Sequence, residues 1–458
     1  MSKIFKNLFK AEKWDTFARI LILIYIAECT FGSSGRWFEI GPLSIRMLLF
    51  ALCFAVTIPA VIRNIKGLAK NWQVIITVCF GIYLLICTVT GFLRGNNSGF
   101  IWGDITTLMS LALIPGFISV MNNKKAIYNA VNVIFYTATI LGVATVILHL
   151  VLAFVEVSTI ININNLIHSA SLGGMAALQT SIQRLYMKSQ IFLQVAIVYG
   201  VWKIVKSNDK RKKFLLCVCE GILLCACILS YTRGFWLGLL VSALLILLTG
   251  IKQWKKYLKI AASMAVILIV FLASSWCVYQ SPAAAVEIVN RFDPNLIVIA
   301  NINGDIEFPI IDGDSEVDKN NIAAVNRRVA TIVEFRKKIP EKVLFGNGLG
   351  EYLEGVREEG KTEYIYHDMM LKTGIVGTVL FILTFYGYIV IYVYSRLKKK
   401  KTKRCCECCE RNRFMIAAYL GVAVTSFFNP FLNNPMGIML LMLTVAAVQD
   451  GEQKNSEV

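Results

Sequence analysis

Long apolar runs alternate with short polar connections along most of the chain. A membrane-spanning helix needs about 20 apolar residues, and each of these runs is long enough to cross a bilayer. Twelve such runs lie near residues 16–31, 43–62, 72–93, 100–121, 127–155, 186–205, 213–231, 234–250, 257–279, 366–395, 414–429 and 434–449. The pattern predicts an all-α polytopic membrane protein with about 12 transmembrane helices and one large extracytoplasmic loop.

The same pattern divides the chain into four parts. Residues 1–279 hold nine predicted transmembrane helices, 280–365 form the extracytoplasmic loop, 366–449 hold three further helices, and 450–458 form a cytoplasmic tail. The loop has ten basic and fifteen acidic residues, a net charge of −5. Within it, an Asn-Gly pair predicts a short hairpin over 295–311, and the apolar spacing over 322–333 predicts a helix that Pro340 ends.

The segment 213–250 must reverse direction in its middle. As one continuous helix, its 38 residues would be about 57 Å long, nearly twice the thickness of the hydrocarbon core. Both flanks are strongly basic, which assigns both ends to the same side of the membrane. The sequence therefore predicts a turn at Tyr231-Thr232-Arg233-Gly234, which places Arg233 at the outer face.

Composition and charge agree with a membrane protein. The 458 residues are 56% hydrophobic and 17% charged, against about 25% charged residues in soluble proteins, which excludes a soluble enzyme and a secreted disulfide scaffold. The formal net charge is +18, yet 29 of the 47 Lys and Arg residues lie in alternate connections. By the positive-inside rule, that side is cytoplasmic and holds both termini, so the charge indicates topology and not nucleic acid.

No metal or other cofactor is predicted. Most of the 13 cysteines lie within apolar helices, where cysteine behaves as a small hydrophobic residue. The cluster Cys405-Cys406-Glu407-Cys408-Cys409 lacks the spacer between paired ligands that zinc sites use, so we interpret it as reduced thiols. The acidic stretch 312–318 lacks the turn glycine of a calcium loop, and we interpret it as solvated.

The candidate binding and catalytic residues lie on the predicted outer side. They are Arg184, Arg233, the pair Arg327-Arg328, and His367. Taken singly, each residue also fits a structural role, such as capping a helix, facing solvent or reaching lipid head groups. Together they suit a ligand with clustered negative charge, because arginine matches phosphate oxygens and histidine takes up a proton near neutral pH. A lipid that carries a pyrophosphate at the outer leaflet meets both requirements.

Three blocks of sequence surround these residues. They are Ser230-Tyr231-Thr232-Arg233-Gly234-Phe235-Trp236; Arg327-Arg328 followed by Pro340 and Phe345-Gly346-Asn347-Gly348-Leu349-Gly350; and His367-Asp368-Met369-Met370-Leu371 with Gly374-Ile375-Val376-Gly377. In order and spacing, these blocks resemble the O-antigen ligase and O-antigen polymerase superfamily of bacterial membrane glycosyltransferases, which are GT-C-like. The resemblance covers roughly residues 180–390. Asp368 stands where the family usually has Asn, and the Trp that commonly follows the loop arginine is absent.

The resemblance implies an inverting, metal-independent transfer of a glycan from a polyprenyl-pyrophosphate carrier to an acceptor hydroxyl. It implies that Arg233 and Arg328 hold the pyrophosphate and stabilise it as a leaving group, with assistance from Arg184. Arg327 is the alternative to Arg328, since adjacent residues point about 100° apart on a helix.

His367 is the implied catalytic base, oriented by Asp368 or Glu363. The implied partners are a polyprenyl-pyrophosphate-linked oligosaccharide, an acceptor glycan or lipid, membrane lipids, and a flippase and chain-length regulator of the export machinery. The implied location is the bacterial cytoplasmic membrane, with both termini in the cytoplasm.

Other functions remain open. A ligase differs from a polymerase only in its acceptor; the Lys-, Ile- and Asn-rich composition, typical of a low-GC host without lipid A, favours a polymerase. A lipid-linked-oligosaccharide flippase or other transporter also suits twelve spans, but carriers place charged sites near the bilayer midplane, and we expect these spans to be nearly free of internal charge. A non-catalytic assembly protein would not need Arg233, Arg328 and His367.

Overall fold

The structure, a computed structural model, describes most of the chain. The described residues are 11–33, 35–36, 39–40, 43–177, 182–290, 328–354, 362–398 and 407–456. The predicted hairpin over 295–311, the acidic stretch 312–318 and Arg327 lie outside the described residues, as do Cys405 and Cys406.

The described chain is mainly helical. Its helices are α1 (Ala11–Phe31), α2 (Ile45–Arg63), α3 (Ile65–Leu68), α4 (Trp72–Leu93), α5 (Ser98–Leu108), α6 (Ile114–Val120), α7 (Lys124–Val151), α8 (Val157–Ser169), α9 (Ile191–Lys206), α10 (Lys210–Leu229), α11 (Arg233–Thr249), α12 (Trp254–Tyr279), α13 (Ala283–Asn290), α14 (residues 328–338), α15 (Ile365–Lys398), α16 (Glu407–Thr425) and α17 (Pro435–Ser456). Short 3₁₀ turns lie at Met109–Leu113, Leu152–Phe154, Ile251–Gln253 and Ile339–Lys342. Each predicted apolar run coincides with one or more of these helices.

Six helical stretches of the described chain are long and apolar enough to cross a membrane. They are Ile45–Arg63, Trp72–Leu93, Ser98–Val120, Lys124–Phe154, Trp254–Tyr279 and Ile365–Ser395. Two shorter apolar helices cover Arg233–Thr249 and Pro435–Gln449. The chain is therefore an all-α type of protein with membrane-embedded character.

Polar side chains in the connections set where several helices begin. Asn71 Oδ1 accepts hydrogen bonds from the amides of Gln73 and Val74, and Asn123 Oδ1 accepts one from Ala126. Asp209 caps α10 in the same way, with Oδ1 2.9 Å from the amide of Arg211. Such caps satisfy amides that have no partner within the first helical turn.

The predicted turn in segment 213–250 is present. Helix α10 ends at Leu229 and α11 begins at Arg233. Between them Tyr231 adopts a left-handed conformation with φ of +46°. The chain reverses at this point because Tyr231 and the extended Thr232 both leave the helical conformation.

A β-hairpin occupies the place where the sequence predicts the start of the sixth span. Strands β3 (Gly173–Ala177) and β4 (Gln183–Met187) pair antiparallel, and the following helix begins only at Ile191. A second pair, β1 (Glu39–Ile40) and β2 (Leu43–Ser44), is shorter. The apolar side chains of β4 extend the hydropathy of the span, which is why the predicted boundary at 186 is wrong.

The β3–β4 hairpin rests on helix α8. Leu185 of β4 and Met175 of β3 are buried in one cluster with Ile160 and Ile163 of α8. Asn164 Oδ1 accepts a hydrogen bond of 2.8 Å from the Met175 amide. Three apolar residues of α8, Val157, Ile161 and Leu166, are exposed together with polar ones such as Asn162 and Asn165. Helix α8 thus supports the hairpin with its buried side only.

Helix α15 is broken at Gly374, and residues 343–350, here called the inserted segment, fill the break. Gly374 has φ of +64° and ψ of −168°. The amides of Asn347 and Gly348 donate to the carbonyls of Leu371 and Lys372, both at 2.9 Å. The amide of Ile375 donates at 2.8 Å to the carbonyl of Val343 in the inserted segment. The break therefore leaves these backbone groups hydrogen-bonded.

The glycines of the inserted segment permit this close approach. Gly346, Gly348 and Gly350 all have positive φ, between +72° and +89°. A Cβ atom on Gly91 of α4 would meet the carbonyl oxygen of Leu349 at 2.3 Å. The glycine-rich block of the sequence thus serves to pack backbone against backbone.

Charged side chains lie buried among the helices, contrary to the prediction of nearly uncharged spans. They are Glu28, Arg46, Asp104, Lys203, Glu220, Asp368, Lys372 and Arg411. Hydropathy averaged over a span conceals single charged residues. Their partners can lie on other helices, as Glu28 and Arg46 do at 2.7 Å, and such pairing offsets part of the cost of burial.

We expect Gly374→Ala to destabilise the protein by at least about 1–3 kcal/mol, the usual cost of forcing a side chain into such a conformation. A Cβ atom there would also meet the carbonyl oxygen of Leu344 at 2.4 Å. The matched control is Gly81→Ala in α4, where a Cβ atom meets nothing within 4 Å. Alanine favours a helix over glycine by about 1 kcal/mol, so this variant should be neutral or more stable. Thermal unfolding in detergent measures both, and equal shifts would contradict the assigned break.

Candidate functional site

A cavity of about 910 Å³ opens at the end of the bundle where the chain turns at Thr232. Its wall combines residues from β4, α2, α5, the start of α15 and the connection between α16 and α17. The charged residues of the wall are Arg36, Arg46, Asp104, Arg184, Lys188 and Asp368. The basic ones come from β4 and the region around β1 and β2, and the acidic ones from α5 and α15.

Arg184 is held against the turn that precedes Arg233. Its Nε donates to the carbonyl of Ser230 at 2.8 Å, and its Nη2 donates to Oγ1 of Thr232 at 2.9 Å. The guanidinium also lies 5.6 Å from the centre of the Tyr186 ring. Alternation along β4 explains this placement, because Leu185 turns to the buried side while Arg184 and Tyr186 face the cavity. Arg184 is thus joined to the first of the three sequence blocks.

Arg233 lies beside the cavity without lining it. It is the first residue of α11 and is half-buried, whereas Thr232 and Phe235 on either side belong to the cavity wall.

Three basic residues of the cavity were missed by the sequence analysis. Arg46 is neutralised by Glu28 and also donates to the carbonyl of Ser33 at 2.7 Å. Arg36 makes a long contact of 3.7 Å with the exposed Glu39. Only Arg36 lies in a predicted outer connection, where the positive-inside rule expects few Lys and Arg residues, so its position was a usable signal. Arg46 and Lys188 lie inside the predicted runs 43–62 and 186–205, where average hydropathy conceals them.

Lys188 directly follows β4 and shares the cavity with Arg36. Partial burial lowers the pKa of the Lys188 ammonium, and the positive charge of Arg36 lowers it further. Two cations that disfavour each other in the free protein favour a bound anion, since the anion relieves their repulsion. Arg36, Arg184 and Lys188 therefore form the cationic part of the wall.

A buried lysine pairs with both acidic residues of the wall. Lys372 is 0% exposed, and its Nζ lies 3.0 Å from Oδ1 of Asp104 and 3.0 Å from Oδ2 of Asp368. The other oxygen of Asp104 accepts a hydrogen bond of 2.9 Å from the amide of Gly350. This cluster joins the inserted segment to the cavity wall. Sequence reasoning considered Asp368 only as a partner of His367 and missed Asp104 and Lys372.

His367 lies outside the cavity, although its neighbour Asp368 lines it. Adjacent residues on a helix point about 100° apart, which separates the two side chains. The His367 ring is exposed, with its centre 5.4 Å from that of Phe335 and 5.9 Å from that of Tyr364. Nearby, Nε of Arg328 on α14 lies 2.8 Å from Glu363, a largely exposed ion pair.

The predicted site residues thus fall into two groups in the structure. Arg184 lies in the cavity, with Arg233 next to its wall. His367 and Arg328 lie on the outer surface formed by α14 and the start of α15. Within the described ranges, no group of three or more His, Cys, Asp or Glu side chains has the proximity to hold a metal ion.

Comparison with protein-family models and with curated proteins gave no match.

We expect Lys372→Met to destabilise the protein by about 3–5 kcal/mol, because two buried carboxylates then lose their common cation. Adding Asp104→Asn and Asp368→Asn should recover part of that loss. The control is Lys338→Met, which breaks the partly exposed pair with Glu351 at 3.1 Å and should cost at most about 1 kcal/mol. Chemical unfolding in detergent distinguishes these outcomes; a Lys372 variant no weaker than the Lys338 control would contradict the ionic cluster.

Proposed function

We propose that the chain is an inverting membrane glycosyltransferase of the O-antigen ligase and polymerase type. It takes a glycan from a polyprenyl-pyrophosphate carrier, transfers it to an acceptor hydroxyl at the outer face, and so polymerises a surface polysaccharide. The observation that carries the proposal is the cavity in which Arg36, Arg184 and Lys188 share a wall with Asp104 and Asp368. The proposal includes about twelve spans, a large outer loop and cytoplasmic termini, in agreement with the charge pattern of the sequence.

The cationic part of the cavity suits a pyrophosphate. Arg184 is fixed by two hydrogen bonds to the turn, so its guanidinium is oriented before the ligand arrives. Arg36 and Lys188 supply further positive charge, and Arg233 starts the adjacent helix. As the glycosidic bond breaks, negative charge grows on the leaving pyrophosphate, and cations held in position stabilise it.

The proton of the acceptor hydroxyl needs a base close to this cavity. His367 and Asp368 are the two candidates from the first turn of α15. Asp368 lines the cavity, but its carboxylate is already engaged by the ammonium of Lys372 at 3.0 Å. We therefore retain His367 as the base and assign Asp368 to hold the acceptor. Tyr364, which lies next to His367 and is partly exposed, suits a contact with the face of a sugar ring.

A transporter of lipid-linked oligosaccharides is the second candidate, and one observation favours it. Glu220 lies halfway along α10 and is fully buried, and its carboxylate oxygens have no hydrogen-bond partner among the described residues. A buried carboxyl of this kind suits proton-coupled transport. Release of polyprenyl pyrophosphate separates the two functions, since a transporter returns its substrate unchanged.

The test uses protein purified in detergent with a matched polyprenyl-pyrophosphate oligosaccharide and no nucleotide sugar. A polymerase produces a ladder of glycan lengths and releases polyprenyl pyrophosphate, and an acceptor supplied separately tests the ligase. We expect Arg184→Ala to lower the rate by about 100- to 1,000-fold, the usual cost of removing a group that stabilises transition-state charge. Arg336→Ala, an exposed cation of α14, is the control and should keep full activity.

Further variants test the proposed role of each residue separately. His367→Ala should abolish the ladder, and Arg233→Ala should lower the rate as Arg184→Ala does. Arg328→Ala should have a smaller effect, because Arg328 is exposed and paired with Glu363. Full activity of Arg184→Ala would remove the pyrophosphate assignment. Bound substrate with neither ladder nor release, in the presence of acceptors, would favour transport or a non-catalytic assembly role.

A further inference from the structure

A second cavity, here called the basic cavity, lies at the other end of the bundle. Its volume is about 430 Å³, and it lies between the start of α7, the end of α9 and the start of α10. Helix α9 begins next to the first cavity, where Gln190 lines the wall, and ends at this one. The two cavities therefore lie at opposite ends of the bundle.

Positive charge is in excess around the basic cavity. Lys203, Lys206 and Lys212 line it, together with a single acidic residue, Asp209. Asp209 caps α10 by accepting a hydrogen bond from the amide of Arg211, so its carboxylate is already engaged. An anion suits this cavity, because its negative charge offsets the repulsion among the three lysines.

Neighbouring side chains hold Lys203 in position at this site. The residue is only 5% exposed, and its Nζ donates to Oδ1 of Asn132 at 2.9 Å. The same ammonium lies 4.2 Å from the ring centres of Phe135 and Tyr136. These neutral partners orient the ammonium. Glu220 of α10, buried next to Gly200 of α9, attracts the same ammonium but does not line the cavity.

Apolar and aromatic surface borders the basic cavity. Phe214 and Leu215 follow Lys212 on α10 and are 68% and 62% exposed. Tyr128 and Trp202 line the cavity itself, with their ring centres 5.9 Å apart. Exposed apolar helix faces meet lipid tails in a membrane, and Tyr and Trp concentrate at the level of the lipid head groups. An anion that carries an apolar tail fits both parts of this surface.

We propose that the basic cavity binds the phosphate group of an anionic phospholipid. The phosphate lies among Lys203, Lys206 and Lys212, and the acyl chains lie along Phe214 and Leu215 of α10. This site is independent of the transfer reaction proposed for the first cavity, because it shares no residue with it.

The test counts phosphatidylglycerol molecules retained by the protein in native mass spectrometry from detergent micelles. Lys206→Ala/Lys212→Ala removes two exposed lysines of the cavity. Lys255→Ala/Lys256→Ala removes two exposed lysines at the same end that do not line it, so both variants change the net charge equally. A lysine near an anionic lipid contributes about a factor of five to binding, so we expect the cavity variant to weaken retention of one lipid by about 25-fold. The control variant should keep it.

Inorganic phosphate at matched concentration distinguishes a lipid from a soluble anion. We expect it to compete weakly, because it makes no contact with the apolar border. Binding of phosphate as tight as that of the lipid would overturn the assignment to a phospholipid. Equal losses in the two double variants, or a wild-type protein that retains no phosphatidylglycerol, would overturn the site itself.

Discussion

A backbone group inside a bilayer must find its hydrogen-bond partner within the protein, and the break at Gly374 interrupts a helix that is long and apolar enough to cross one. The inserted segment supplies partners on both sides of the break, through Asn347, Gly348 and Val343. It reaches that position only because glycines let backbones approach within contact distance. A loop outside the helices thereby becomes an internal part of the bundle.

The inserted segment also determines the chemistry of the cavity wall. The Gly350 amide holds one oxygen of Asp104, while Lys372 holds the other and binds Asp368 as well. Lys372 lies two residues before the break, so the ammonium that orients both carboxylates is positioned by the same interruption of α15. The same interruption of α15 therefore satisfies the backbone groups at the break and positions the charged side chains beside it. A regular helix through residue 374 would provide neither.

Hydropathy was sufficient for the helices and for the turn at Tyr231, because the length of a span and the reversal between basic flanks follow from the bilayer itself. It failed at the β3–β4 hairpin, since Leu185 and Met187 are as apolar as the helix that follows. It also failed at the ionic cluster, where Lys372 and Asp104 are 268 residues apart in the sequence. His367 and Asp368 illustrate the remaining difficulty: a motif groups neighbours that the helix directs to different surroundings. The number of twelve spans, the large outer loop, the orientation in the membrane and the roles of Arg233, Arg328 and His367 remain predictions.

Arg184 depends on two supports that lie far apart in the sequence. The strand that carries it packs on the buried side of α8, through Leu185 and Met175. Its guanidinium is bonded to the turn between α10 and α11, at Ser230 and Thr232. A displacement of α8 relative to that turn would therefore strain both hydrogen bonds, so the position of a peripheral helix determines the orientation of a charged group in the cavity.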